Sequence, residues 1–164
     1  MSSCTALADL LRQQQWKLVT AESCTGGLIA ATCTDLAGSS DWFERGFVTY
    51  SNAAKTESLG VPAELIERHG AVSEAVARAM AEGALRHAPA QLSVAVTGVA
   101  GPGGGSAAKP VGTVWFGFGQ RRGGPGAPIA VHSEMRHFEG DRAAVRAATV
   151  AHALQRLLDL AGQA

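Results

Sequence analysis

Between residues 4 and 15 the apolar positions Leu7, Leu10 and Leu11 recur at helical spacing, which predicts a helix. A short β-rich run, "KLVTA" (17–21), follows. From Thr25 the positions Leu28, Ile29, Thr32 and Leu36 return to a three-to-four spacing, predicting a helix over 25–37 with Gly38 as its C-terminal cap. "WFERGFVTYS" (42–51) alternates with aromatic and β-branched residues and reads as a strand. Two short helices are expected near 53–59 and 62–68, divided by Gly60, with Pro62 suited to the first turn of the second. Residues 73–88 form a clear helical pattern that Ser73 can cap, and "QLSVAVTG" (91–98) reads as a buried strand. The runs 111–120 and 128–138 flank a Gly/Pro turn and predict a β-hairpin. A long helix over 140–162, capped by Asp141, closes the chain.

Helices between most strands, with one hairpin late in the chain, predict the α/β class. The expected architecture is a three-layer α/β/α sandwich on a mixed, mostly parallel sheet with a late β-hairpin. No internal repeat or dividing linker appears, so residues 1–164 are expected to form a single domain. Ligands gather at the C-terminal ends of strands in such sheets. Three of those ends carry chemistry: 20–25, 50–55 and 97–106.

Composition narrows the partners. Fourteen basic and fourteen acidic side chains cancel, which argues against a nucleic-acid binder. No apolar run is long enough for a membrane span, and the N-terminus lacks the pattern of a secretory leader. The three cysteines Cys4, Cys24 and Cys33 form no C-x-x-C pair and leave one unpaired under any disulfide scheme. They read as reduced thiols of a cytoplasmic protein. The sequence leaves homo-oligomerisation open.

The stretch "TAESCTGGLIAA" (20–31) sets Ser23, Cys24 and Thr25 at a strand-to-helix junction ahead of Gly26 and Gly27. If the helix starts at Thr25 or Gly26, its first N–H groups face Ser23 and can stabilise an anion, and the glycines let a ligand approach the backbone. The plainer alternative is that Ser23 or Thr25 only caps the helix. A nucleophilic serine needs a base. No histidine lies in the three junctions and no G-x-S-x-G elbow exists, so a lysine is the alternative. "YSNAAK" supplies Lys55, with Tyr50 and Asn52 able to add hydrogen bonds. Deprotonating an ordinary lysine at pH 7 costs about 4.6 kcal/mol, so a base lysine must be desolvated or sit in positive potential. The N-terminus of the 25–37 helix is the expected source of that potential. A solvated surface lysine is the alternative.

The third junction, "TGVAGPGGGSAAKPVGT", is neither G-x-G-x-x-G nor a P-loop. It contains Ser106-Ala107-Ala108-Lys109, formally S-x-x-K, but Pro110 disfavours the helix start that motif needs. A glycine loop closing over a ligand is the better functional reading, and a flexible connection the alternative. Cys24 ranks below Ser23 as nucleophile because no Cys-His pair is available. No H-E-x-x-H or Cys/His cluster at ligand spacing suggests a metal.

The segments "TAESCTGG", "LAGSSDWFERGFVTYSNAAK", "HGAVSE", "TGVAGPGGGS", "KPVGTVWFGF" and "GDRAAVR" occur in the order seen in the CinA C-terminal domain family, which the chain resembles from about residue 5 to 160. The resemblance implies hydrolysis of the carboxamide of nicotinamide mononucleotide, a small-molecule pyridine mononucleotide, to nicotinic acid mononucleotide and ammonia. It implies a Ser/Lys mechanism without metal or other cofactor. The family serine falls on Ser23 and the family lysine on Lys55. The T-G-x-A-G-P segment falls on Thr97, Gly98, Ala100, Gly101 and Pro102. Thr97, Gly98, Ala100 and Gly101, together with Cys24, Thr25, Gly26, Gly27, Tyr50 and Asn52, are the expected substrate contacts, with the 97–106 loop as the phosphate holder. Many relatives carry an N-terminal pyrophosphatase domain, and that second activity is not expected here.

Overall fold

A computed structural model describes residues 1–163. Five strands form one sheet: β1 (Leu18–Glu22), β2 (Phe43–Val48), β3 (Leu92–Gly98), β4 (Thr113–Gln120) and β5 (Ala130–His137). Their spatial order is β2-β1-β3-β4-β5. β1 pairs in parallel with β2 and β3, whereas β4 is antiparallel to both β3 and β5. Four of the five strands therefore run the same way, and the late hairpin is the expected one.

Helices cover both faces. α1 (Ser3–Gln14), α2 (Leu28–Thr34) and α6 (Arg142–Gly162) enclose a core with Leu18, Val94, Val96, Phe116 and Phe118. α3 (Asn52–Leu59), α4 (Ala63–His69) and α5 (Glu74–Arg86) enclose a second core with Val19, Ala21 and Ala95. β1 is buried along its whole length because both faces are covered, and so it reads as a continuous run rather than an alternation. α5 approaches β4 closely over small residues. A Cβ on Gly117 would collide with the carbonyl of Ala77, so no larger residue fits there without a shift.

Two predicted N-caps form as expected, whereas Gly38 does not cap α2: Asp35 does, and Gly38 precedes a short 3₁₀ turn at Ser39–Asp41. Ser73 Oγ accepts from Val76 N at 3.3 Å, and Asp141 Oδ1 from Ala144 N at 2.9 Å. One expected element is shorter: α2 starts at Leu28 instead of Thr25 and ends at Thr34. Gly26 (φ 59°) and Gly27 (φ 107°) lie in the left-handed region, so residues 24–27 turn before the helix can begin.

Register brings the three loaded strand ends level. Glu22 is opposite both Val48 and Val96, so Ser23, Thr49–Tyr50 and Thr97 emerge side by side.

Candidate active site

The turn after β1 is built around a buried carboxylate. Glu22, 1% exposed, accepts from Ile29 N at 2.8 Å through Oε1 and from Ala30 N at 3.0 Å through Oε2. The Thr25 hydroxyl also donates to Oε1, at 2.5 Å. The first N–H groups of α2 are thus already satisfied, and the helix terminus does not face Ser23 as the sequence suggested. What remains near Ser23 is the turn itself. Ser23 N donates to Val96 O and Gly26 N to Ser23 O, each at 3.1 Å. Among the described residues the N–H groups of Cys24 and Thr25 have no acceptor on another residue. Arg146 holds the carbonyls of the same turn, donating to Cys24 O at 3.2 Å and to Thr25 O at 3.1 Å.

Lys55 sits in the first turn of α3, which Ser51 caps through Ala54 N at 3.0 Å. Its side chain runs inward to 1% exposure. Nζ lies 3.0 Å from Ser23 Oγ, 3.0 Å from Thr49 O and 3.2 Å from Tyr50 O. Among the described residues it forms no ion pair with a carboxylate. Burial without a counter-ion holds its pKa below the ordinary lysine value, opposed only by the nearby Cys24 thiol. Desolvation therefore replaces the helix field expected from the sequence. As an ammonium, Nζ donates to all three oxygens. As a free amine it keeps two N–H groups for the two carbonyls and offers its lone pair to the serine hydroxyl.

Cys24 lines the same space, but burial raises its thiol to about 11 and keeps it neutral at pH 7. The S-x-x-K alternative fails on geometry. Ser106 is exposed, its Oγ accepts from Lys109 N at 3.1 Å, and Lys109 Nζ donates instead to His69 O at 2.8 Å. Among the described residues no group of three or more His, Cys, Asp or Glu side chains is arranged to hold a metal ion.

Ser23 and Lys55 open into a cavity of about 230 Å³, whose wall also includes Tyr50, Asn52, Thr97 and Gly98. A larger hollow of about 700 Å³ adjoins it and shares Ala100 and Arg142.

The sequence matches the family model for the CinA C-terminal domain over residues 2–161. The chain belongs to that family. Nicotinamide-nucleotide amidohydrolase PncC of Enterobacter agglomerans is 54% identical over 148 residues, 90% of this chain and 87% of that protein. PncC of Escherichia coli K12 is 55% identical over 151 residues, 92% of this chain and 88% of that protein. Among solved structures, a CinA superfamily protein of Klebsiella pneumoniae superposes with TM-score 0.90 at 37% identity, covering 99% of this chain and 97% of that one. One from Escherichia coli gives TM-score 0.88 at 40% identity, covering 96% and 88%.

Within this CinA-family fold the residues singled out from the sequence divide by role. Ser23, Cys24, Tyr50, Asn52, Lys55, Thr97, Gly98 and Ala100 share one cavity. Tyr50 contributes chiefly its backbone carbonyl, while its ring stands at the rim, 62% exposed. Thr97 Oγ1 donates to Ala71 O at 2.8 Å and so ties β3 to the segment before α5. Thr25 turns inward to Glu22, and Gly101 accepts from Arg142 Nη1 at 2.9 Å. Sequence reasoning missed Glu22, Arg142 and Arg146. The signal available was the four-residue spacing of the two arginines, which sets them on one face of the final helix.

Proposed function

We propose that this chain hydrolyses the carboxamide of nicotinamide mononucleotide, with Ser23 as nucleophile and Lys55 as general base. The single observation that carries the reading is the 3.0 Å contact between Ser23 Oγ and a buried lysine nitrogen without a counter-ion. The substrate class is supported by the PncC relatives, whose name specifies nicotinamide-nucleotide amidohydrolysis.

Ser23 Oγ attacks the carboxamide carbon as its proton passes to Lys55 Nζ. The oxyanion that develops is within the province of the unoccupied Cys24 and Thr25 N–H groups, a role the backbone of a turn can fill. Collapse breaks the C–N bond, and Lys55 returns the proton to nitrogen, which leaves as ammonia. Water then attacks the Ser23 ester. Lys55 takes the water proton and hands it to Ser23 Oγ as nicotinic acid mononucleotide departs. The two carbonyls of Thr49 and Tyr50 hold Nζ through both steps.

The pyridine end suits the 230 Å³ cavity, and the phosphate suits the adjoining hollow beyond Arg142. That assigns charge recognition to a guanidinium in place of the glycine loop first expected. A cytoplasmic setting agrees with three free cysteines.

Ammonia release from nicotinamide mononucleotide by the purified chain tests the reading. Ser23→Ala is expected to lower kcat by ~10³-fold or more while the variant still binds substrate. Saturable binding by the wild type without ammonia release would identify a non-catalytic nucleotide-binding module instead.

A further inference from the structure

At the end of the sheet opposite Ser23, a cavity of about 360 Å³ opens between the end of α5, the residues after it and the hairpin loop. It lies roughly 20 Å from the active site, the length of β3 at ~3.3 Å per residue. Arg121, the residue after β4, lines it and is only 5% exposed. Its backbone N–H donates to Gln91 O at 2.9 Å, while Nε donates to Ala90 O at 2.9 Å and Nη2 to Ala88 O at 2.6 Å. These side-chain bonds use one edge of the guanidinium fork and leave the Nη1 edge without a partner among the described residues.

The charge of Arg121 is uncompensated. Among the described residues no carboxylate pairs with it. Arg156, much less buried, meets both Glu134 and Asp159, each at 3.1 Å. A buried guanidinium supported only by carbonyl dipoles carries a desolvation penalty that a counter-anion would offset. Arg86 adds a second cation to the same cavity, held only by an exposed pair with Glu82 on its own helix at 3.0 Å. Gly126 also lines the space, and its N–H has no acceptor among the described residues.

We propose that this cavity is a second anion site, taking a phosphate group on the free edge of Arg121 with Arg86 at the rim. A planar fork matches two oxygens of a phosphate, and two cations suit a dianion better than a single carboxylate. The site is separate from the catalytic cavity and shares no wall residue with it.

Residue-resolved NMR of the full chain, titrated with inorganic phosphate at constant ionic strength, tests this. Saturable shifts are expected at 86–91 and 121–129, with a much weaker response to acetate. Arg86→Ala should weaken phosphate about tenfold, the loss of one charge-assisted contact. Ala127→Glu, which tethers a carboxylate in the wall, should abolish the shifts without altering ammonia release. Neither variant disturbs the carbonyl bonds of Arg121, so both are expected to fold. Phosphate shifts confined to the Ser23 end, an equal response to acetate, or unchanged affinity in both variants would overturn the proposal.

Discussion

Lys55 and Ser23 are separated by 32 residues, and their meeting depends on which side of its own first turn the lysine takes. Turned inward, Lys55 loses water and gains two carbonyls, and its pKa falls. The unfolded chain then holds that proton more tightly than the folded one. Stability should therefore rise with pH from the lowered folded value up to ~10.4, the ordinary lysine value. Lys55→Met should flatten that slope in urea melts taken at several pH values, keep the fold and abolish turnover. In the wild type, kcat/KM should rise with pH through the lowered Lys55 pKa. A rising limb that persists in a still-active Lys55→Arg variant would remove Lys55 from the role of base. Glu22 gives a second test at this scale. Glu22→Gln keeps one oxygen for α2 but turns an amide N–H₂ toward a backbone N–H, which should cost ~1–3 kcal/mol. Because the Cys24–Thr25 turn is fixed from Glu22, kcat should fall more than KM changes, as substrate titrations of the variant would reveal.

At the scale of elements, the layers depend on how closely α5 can lie on β4. Gly117 faces Ala77 and Ala81, and the side chain it lacks would occupy the volume of the helix backbone. Gly117→Ala should destabilise by ~1–3 kcal/mol through overpacking and lower Tm by ~2–4 °C per kcal/mol, with kcat unchanged. Calorimetry beside an activity assay separates the two effects. Most elements were legible in the sequence because their periodicity and caps are local: Ser73 and Asp141 act where the pattern put them. α2 was overextended because its Leu28, Ile29 and Thr32 spacing continues backward through two glycines whose left-handed φ values are set by the turn. The cavity residues on strand ends were legible because parallel strands bring their C-terminal ends level. Glu22 was not, since its partners are backbone N–H groups seven and eight residues further on, which no side-chain pattern in the sequence marks. Only the folded turn brings Ile29 and Ala30 within reach of its carboxylate.

At the scale of the whole molecule, the last helix completes a site begun by the first strand. Arg146 holds the carbonyls of the turn after β1, and Arg142, one helical turn earlier, bridges Gly101 O and the Tyr50 hydroxyl at 2.9 and 3.4 Å. A chain with no net charge can still attract an anion if its cations are concentrated where the substrate lies. Arg142 is exposed overall yet forms the shared wall of the two hollows, the position a phosphate would occupy if the pyridine sat against Ser23. Removing its guanidinium should weaken the phosphorylated substrate and spare a nucleoside that lacks the phosphate. Arg142→Ala is therefore expected to raise KM for nicotinamide mononucleotide about tenfold, the equivalent of ~1.4 kcal/mol. The same variant should leave kcat/KM for nicotinamide riboside nearly unchanged, and the mononucleotide KM should lose part of its dependence on salt. Equal losses on both substrates would mean that Arg142 acts through Gly101 and Tyr50 as a brace, and would return the phosphate to the backbone of the 97–106 loop.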